Sequence, residues 1–166
     1  MTRTQQLYEL EVMLLSGPIA KSYVDKNPTV ARTIQIRGSQ TLADLHKVIF
    51  RAFDRFDEHM YEFQVGGKGP MDPNARRYVL SMAMEDPFND SKPAGDVAHT
   101  TIESLELKHD QTFGYWFDFG DDWWHQVTVV AIHDEIPSGR YPKITQKIGE
   151  SPPQYGDWDE EDCDDN

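Results

Sequence analysis

Thr41-Leu-Ala-Asp-Leu-His-Lys-Val-Ile-Phe-Arg-Ala-Phe-Asp-Arg-Phe56 reads as the one long helix of this chain. Leu42, Leu45, Ile49, Ala52, Phe53 and Phe56 recur mostly three or four residues apart, which lays them along one helix face. Thr41 (or Ser39) supplies a cap, and Asp44 completes a capping box with a shorter acid. His46, Lys47, Arg51 and Asp54 lie off the stripe. A helix with a single apolar face has to bury it against a second layer, so the segments on either side decide what that layer is.

Those segments alternate with period two. Tyr8, Leu10, Val12 and Leu14 interleave with Glu9, Glu11 and Met13, a half-buried strand that Gly17-Pro18 ends. After a connection over 19–28, Ile34 and Ile36 alternate with Thr33, Gln35 and Arg37 in a second strand, expected antiparallel to the first. Beyond the helix, Tyr61, Phe63 and Val65 alternate with Glu62 and Gln64. The run 78–84 reads as an edge strand, 85–98 as a long surface loop, and 101–105 as a short capped helix. Residues 112–119 and 123–133 then form a hairpin, and the second arm carries Val127 and Val129 on one face and Val130 and Ile132 on the other, as a central strand does. The segment after Pro137 reads as irregular and draped over the domain. The order β-β-α-β-(β)-(α)-β-β is that of an α+β domain. We expect one mixed, mostly antiparallel sheet with one main helix packed across it, β-grasp-like or roll-like, rather than the alternating βα units of a nucleotide-binding fold.

The chain has 166 residues, the size of one domain, and buries roughly two-thirds of its unfolded surface. The expected division is a single domain over 1–156 and an acidic, disordered tail over 157–166. Seven of the last ten residues are acidic, and the net charge of −13 falls to −6 on residues 1–156 without them. An acidic body argues against a duplex-DNA reader, because neutralising phosphates needs a basic surface. Arg76, Arg77, Lys68 and Lys92 leave room for a local basic patch. No apolar run approaches the ~20 residues of a membrane span, and the first residues lack a signal-peptide apolar core. The expectation is a cytoplasmic protein with no membrane partner. The single cysteine, Cys163, can form neither an internal disulfide nor a thiolate metal site, and the carboxylates around it raise a thiol pKa.

The densest polar and aromatic cluster is Tyr115-Trp-Phe-Asp-Phe-Gly-Asp-Asp-Trp-Trp-His125. If the hairpin turns at Gly120-Asp121, Asp118 faces Trp123 and Trp116 faces His125, with all four side chains on one face. That would frame a carboxylate and an imidazole with two indoles and put Asp121 at the tip. Such a face could bind a polar ligand or hold a divalent metal through oxygen and nitrogen. Aspartate beside glycine also forms plain turns, and tryptophan in a hairpin also simply packs. His46 and His59 become relevant if the fold brings them to His125; with Asp118 they would complete a ligand set. His99, His109 and His133 have no distinctive context. Asp118-Phe-Gly120 spells a kinase triplet without the rest of a kinase, and Gly66-Gly-Lys-Gly-Pro70 lacks the spacing of a phosphate-binding loop.

The run Tyr-x-Phe-Asp-Phe-Gly-Asp-x-Trp-x-His over 115–125 resembles the signature of the plasmid pRiA-four-b open-reading-frame-three-like family. Thr41 to Phe53 followed by His59-Met-Tyr-Glu-Phe63, then Tyr141-Pro142 and Gly149-Glu-Ser-Pro-Pro-Gln-Tyr155, resemble its other elements. Together these cover most of residues 7–156. The resemblance implies an α+β fold and no defined activity; some members are labelled insertion-element passengers or resolvase-like. This chain has Ile144 and Pro-Pro-Gln-Tyr where many members have a cysteine and Pro-Pro-Glu-Asp, and its second strand lacks their Trp-Arg pair.

Three function classes follow. The first is a non-enzymatic binding or accessory module. It would use Asp118, Asp121, Trp123 and His125 on the hairpin face, with His46, His59 and the loop 66–98, to take a protein or small polar ligand. The second is a metal-dependent enzyme, with His125, Asp118 and His46 or His59 as ligands and Asp121 as base. It requires these groups to converge in a water-excluding pocket. The third is a nucleic-acid accessory protein of mobile elements.

Overall fold

The structure is a computed structural model and describes residues 5–85 and 92–155. Its elements are β1 (Leu7–Ser16), α1 (Lys21–Lys26), β2 (Ala31–Arg37), α2 (Leu42–Ala52), β3 (Tyr61–Val65), β4 (Arg76–Val79), β5 (Gly95–Asp96), β6 (Thr112–Phe117), β7 (Trp123–His133) and β8 (Lys143–Ile148). The eight strands form one sheet in the order β5-β4-β3-β6-β7-β1-β2-β8. Every pairing is antiparallel except β4 with β5. This is the expected mixed, mostly antiparallel sheet with a main helix across it.

The helix begins where its capping box lies. The Asp44 N–H donates to Thr41 Oγ1 at 3.2 Å, and the Thr41 N–H donates to Asp44 Oδ2 at 3.0 Å. Leu42, Leu45, Val48, Ile49 and Ala52 are buried against the sheet, and each large side chain among them contributes ~1.5–3 kcal/mol. The facing side of the sheet supplies Leu10, Val12, Ile34, Phe63, Tyr115 and Val127, all buried. Alternation sends Glu9, Thr33, Gln64, Trp116, Trp124 and Gln126 to the other face. These residues are half-buried apart from Gln64, and among the described residues no helix covers this face.

Several local expectations change. The run 143–148 is a strand, β8, paired with β2 through Ala31–Ile148 and Ile34–Ile144. The segment 78–84 divides into the end of β4 and a 3-10 turn over Ser81–Ala83, and the short helix before Leu105 is also a 3-10 turn. The connection after Gly17 contains the six-residue α1. The expected disordered tail, with Trp158 and Cys163, lies outside the described residues. Among the described residues no helix is long and apolar enough to cross a membrane.

A strap, residues 149–155, closes the helix side. The Arg32 guanidinium donates to the carbonyls of Ile148 and Gly149 and to Ser151 Oγ. Arg55 Nη1 donates to the Pro152 carbonyl at 2.7 Å. The Gln154 amide oxygen accepts from the N–H groups of Phe56 and Asp57, while its NH2 donates to the Asp57 carbonyl. Three polar side chains therefore hold a segment with little apolar content of its own.

Candidate functional site

The β6–β7 hairpin turns through five residues, Asp118 to Asp122. Phe117 pairs with Trp123, Trp116 with Trp124 and Tyr115 with His125. The expected pairs, Asp118 with Trp123 and Trp116 with His125, are wrong by one position. A one-residue slip moves every side chain of a strand to the opposite face, so the four residues do not share a surface. The cause is the aspartates. Asp118 and Asp122 take left-handed backbone, with φ of 63° and 55°, a conformation aspartate tolerates better than most residues. Asp118 Oδ1 accepts from the N–H groups of Gly120 and Asp121 at 3.0 and 3.2 Å, and the Asp122 N–H donates to the Asp118 carbonyl. Asp118→Ala should therefore cost roughly 1–2 kcal/mol, from lost hydrogen bonds and a disfavoured φ, while Asp118→Asn stays close to the parent. Chemical denaturation of the three proteins checks this, and equal midpoints would remove the turn from the account.

Trp123 and His125 enter the core. Trp123 is fully buried, with the Arg55 guanidinium 4.1 Å from its ring centroid and the backbone of Gly17 against its edge. His125 hydrogen-bonds through Nδ1 to the Tyr115 carbonyl at 3.3 Å and meets the edge of Phe53. Its Nε2 has no hydrogen-bond partner among the described residues. Burial first, and then the Arg55 charge, lower its pKa to about 3, so the ring is neutral and Nδ1 is the donor.

His46 is also buried. Its ring stacks on Tyr61 at 3.7 Å; Nδ1 lies 2.6 Å from the Tyr115 hydroxyl and Nε2 lies 3.0 Å from Glu58 Oε2. Burial lowers its pKa and the Glu58 carboxylate opposes that shift. A neutral ring that donates from Nε2 to Glu58 and accepts at Nδ1 from Tyr115 satisfies all three groups. The arrangement orders hydroxyl, imidazole and carboxylate as a nucleophile relay does. Here Tyr115 is 1% exposed and its hydroxyl pKa is raised well above the usual value by burial, so no substrate reaches it.

His59 is placed with Asp118. Its Nε2 lies 3.5 Å from Asp118 Oδ2, 3.6 Å from Asp57 Oδ2 and 2.6 Å from the Tyr155 hydroxyl. Tyr155 donates to Asp57 Oδ2 at 2.6 Å, and that bond is the main reason its pKa is pushed up to about 12. His46 and His59 flank Phe117, each 6.0 Å from its ring. Of the four candidate metal ligands, His59 and Asp118 come together; His46 commits both nitrogens to Tyr115 and Glu58, and His125 is buried beside Tyr115 and Phe53. Among the described residues no group of three or more His, Asp or Glu is arranged to hold a metal ion.

The open face holds an aromatic strip of which the sequence reading named only Trp116. Trp116 stacks on Trp124, with centroids 4.9 Å apart and planes at 7°, and the Phe119 ring centroid lies 4.1 Å from that of Trp116. Trp116 Nε1 donates to Asp122 Oδ1 at 2.8 Å. Beside this strip runs a groove of about 520 Å³ lined by Met60, Met71, Val79, Ala83, Trp116 and Phe119. Its floor is Glu62, Gln64 and Arg77. Arg77 Nη1 meets Glu62 Oε1 at 3.2 Å and Gln64 Nε2 donates to Glu62 Oε2 at 2.7 Å. Asp121 sits at the hairpin tip, its backbone N–H held by Asp118.

The fold has a solved counterpart. A protein of unknown function from Methanosarcina mazei Go1, MM3350, superposes with a TM-score of 0.68 at 22% identity, covering 92% of this chain and 75% of that one. A curated relative, the uncharacterized protein y4hQ of Sinorhizobium fredii (strain NBRC 101917 / NGR234), is 28% identical over 76% of this chain. The match spans 59% of that relative's length. The family described as plasmid pRiA4b ORF-3-like protein matches residues 22–162. With the hairpin, the helix and the closing strap all inside the matched region, this chain belongs to the plasmid pRiA4b ORF-3-like family.

Proposed function

We propose that this protein is a non-enzymatic binding module that takes a protein partner on the open face of its sheet, at the β6–β7 hairpin. The observation that carries this reading is the Phe119–Trp116–Trp124 strip beside a walled groove, on a sheet face that no helix among the described residues covers. Aromatic anchors that are partly exposed next to a concavity are how binding surfaces concentrate their energy. The reading keeps the hairpin as the functional element and moves the contact to its other face. Asp118 then shapes the tip, while Trp123 and His125 support it from within.

The metal-dependent enzyme reading retains one supporting observation, the approach of His59 to Asp118 and Asp57. Both Asp57 and His59 are open to solvent, without the water-excluding pocket that catalysis needs.

The test uses tagged full-length protein as bait in extract of its own host. Partners should be retained by the parent and by Glu11→Gln, a change on the same sheet face away from the groove. They should be lost by Trp116→Ser with Phe119→Ser, provided circular dichroism shows that variant folded. Equal capture by all three would count against the surface.

A further inference from the structure

The geometry points to a basic amphipathic helix of a partner protein as the occupant of the groove between Met60 and Phe119. This rests on the binding-module reading and names the partner's chemistry.

The groove asks for apolar side chains. Its floor is polar but mutually satisfied: Glu62 holds both Arg77 and Gln64, and the Gln64 oxygen accepts from the Met71 N–H at 2.9 Å. A small polar ligand would have to break those bonds, whereas an apolar ridge would lie over them. The walls are long and pliable. Met60 and Met71 line the groove, and Met71 is 60% exposed. Thioether side chains of this kind repack around different partners.

A helix suits the site better than a strand. The backbone of β3 is paired on both sides, with β4 and β6, so no free ladder edge opens into the groove. Strand addition needs such an edge, whereas a helix needs only a groove for residues at i, i+3, i+4 and i+7. The opposite sheet face already takes such a stripe from α2, through Leu42, Leu45, Ile49 and Ala52.

The rim sets the sign of the partner's charge. Asp72 lines the groove, Asp122 is bonded to the lining Trp116, and Asp121 adjoins Asp122. The Arg77 guanidinium is engaged with Glu62 beneath them. Together with a net charge of −6 on residues 1–156, this surface attracts lysine and arginine and speeds their encounter at low salt.

The probe is a synthetic peptide of about 18 residues, with leucines at i, i+3, i+4 and i+7 and lysines elsewhere. It is titrated into the full-length protein by fluorescence anisotropy. We expect saturable binding that weakens as salt rises to about 0.5 M. Binding should fall about tenfold or more in Met71→Ser with Phe119→Ser, and a leucine–glutamate peptide of the same pattern should not bind. No binding of the lysine peptide, or equal binding to parent and groove variant, overturns the inference; equal binding would assign the contact to diffuse negative charge. If the peptide fails while Trp116→Ser with Phe119→Ser still loses the captured partner, the surface stands and only the partner's chemistry is wrong.

Discussion

Gly149→Ala is expected to destabilise the protein by roughly 2–4 kcal/mol, two penalties acting at one atom. Gly149 has φ +73°, where a side chain is strained in any surroundings, and an added Cβ would stand 2.3 Å from the Thr29 carbonyl oxygen. That oxygen is backbone and cannot rotate away, so β8 and the chain before β2 would have to part. The damage would spread along the strap. Arg32 donates to the Gly149 carbonyl at 3.1 Å and to Ser151 Oγ at 2.8 Å, so moving Gly149 also loosens a buried guanidinium. For a chain of this size the unfolding midpoint should drop by about 5–15 °C in a circular-dichroism melt. Gly69→Ala is the control, since nothing lies within 4 Å of its added Cβ. Equal melting of the two variants would mean that the strap does not contribute to stability as described.

The largest pH effect is expected at His125. Burial and the neighbouring Arg55 lower its pKa from 6.5 to about 3 in the folded state. In the unfolded chain it titrates near 6.5, so between those values the unfolded state binds the extra proton. Stability assigned to this group is therefore complete above pH 6.5 and is lost as pH falls toward 3. The loss amounts to about 3 kcal/mol at pH 4. Many carboxylates also titrate there, so the useful quantity is the difference between the parent and His125→Leu. The stability advantage of the parent should shrink steadily from pH 7 to pH 4 in urea denaturation, and can reverse sign. A difference that stays flat over that range would mean that the imidazole is protonated in the fold or reaches water.

These two sites also separate what was readable before folding from what was not. The α2 cap, its apolar stripe up to Phe53 and most strands follow from spacing along the chain, because helix and strand periods act on near neighbours, whereas Phe56 lies past the helix end and is exposed. β8 left no such trace. Lys143-Ile-Thr-Gln-Lys-Ile148 offers only Ile144 and Ile148 on one face with Gln146 between them, and its strand conformation comes from pairing with β2. The hairpin shows the sharper case. Its two arms were legible, but the faces turned on whether the loop holds two residues or five. That was settled by left-handed aspartates and a carboxylate holding two N–H groups. One position of register sent His125 and Trp123 inward and set Trp116 and Trp124 outward.

The candidate histidines follow the same division. His46 lies near the apolar stripe in sequence, yet its contacts with Tyr115 and Glu58 come from three separate segments. The company of His59 includes Tyr155, 96 residues away, delivered by a strap that Arg32, Arg55 and Gln154 hold in place. By itself the sequence determined the class of fold, the helix and its cap, and the acidic character of the surface, since each arises from local periodicity or from a sum over residues. Tertiary structure alone decided the register of the hairpin, the edge strand β8 and the side of the sheet that is open, because each depends on contacts between segments far apart in the chain.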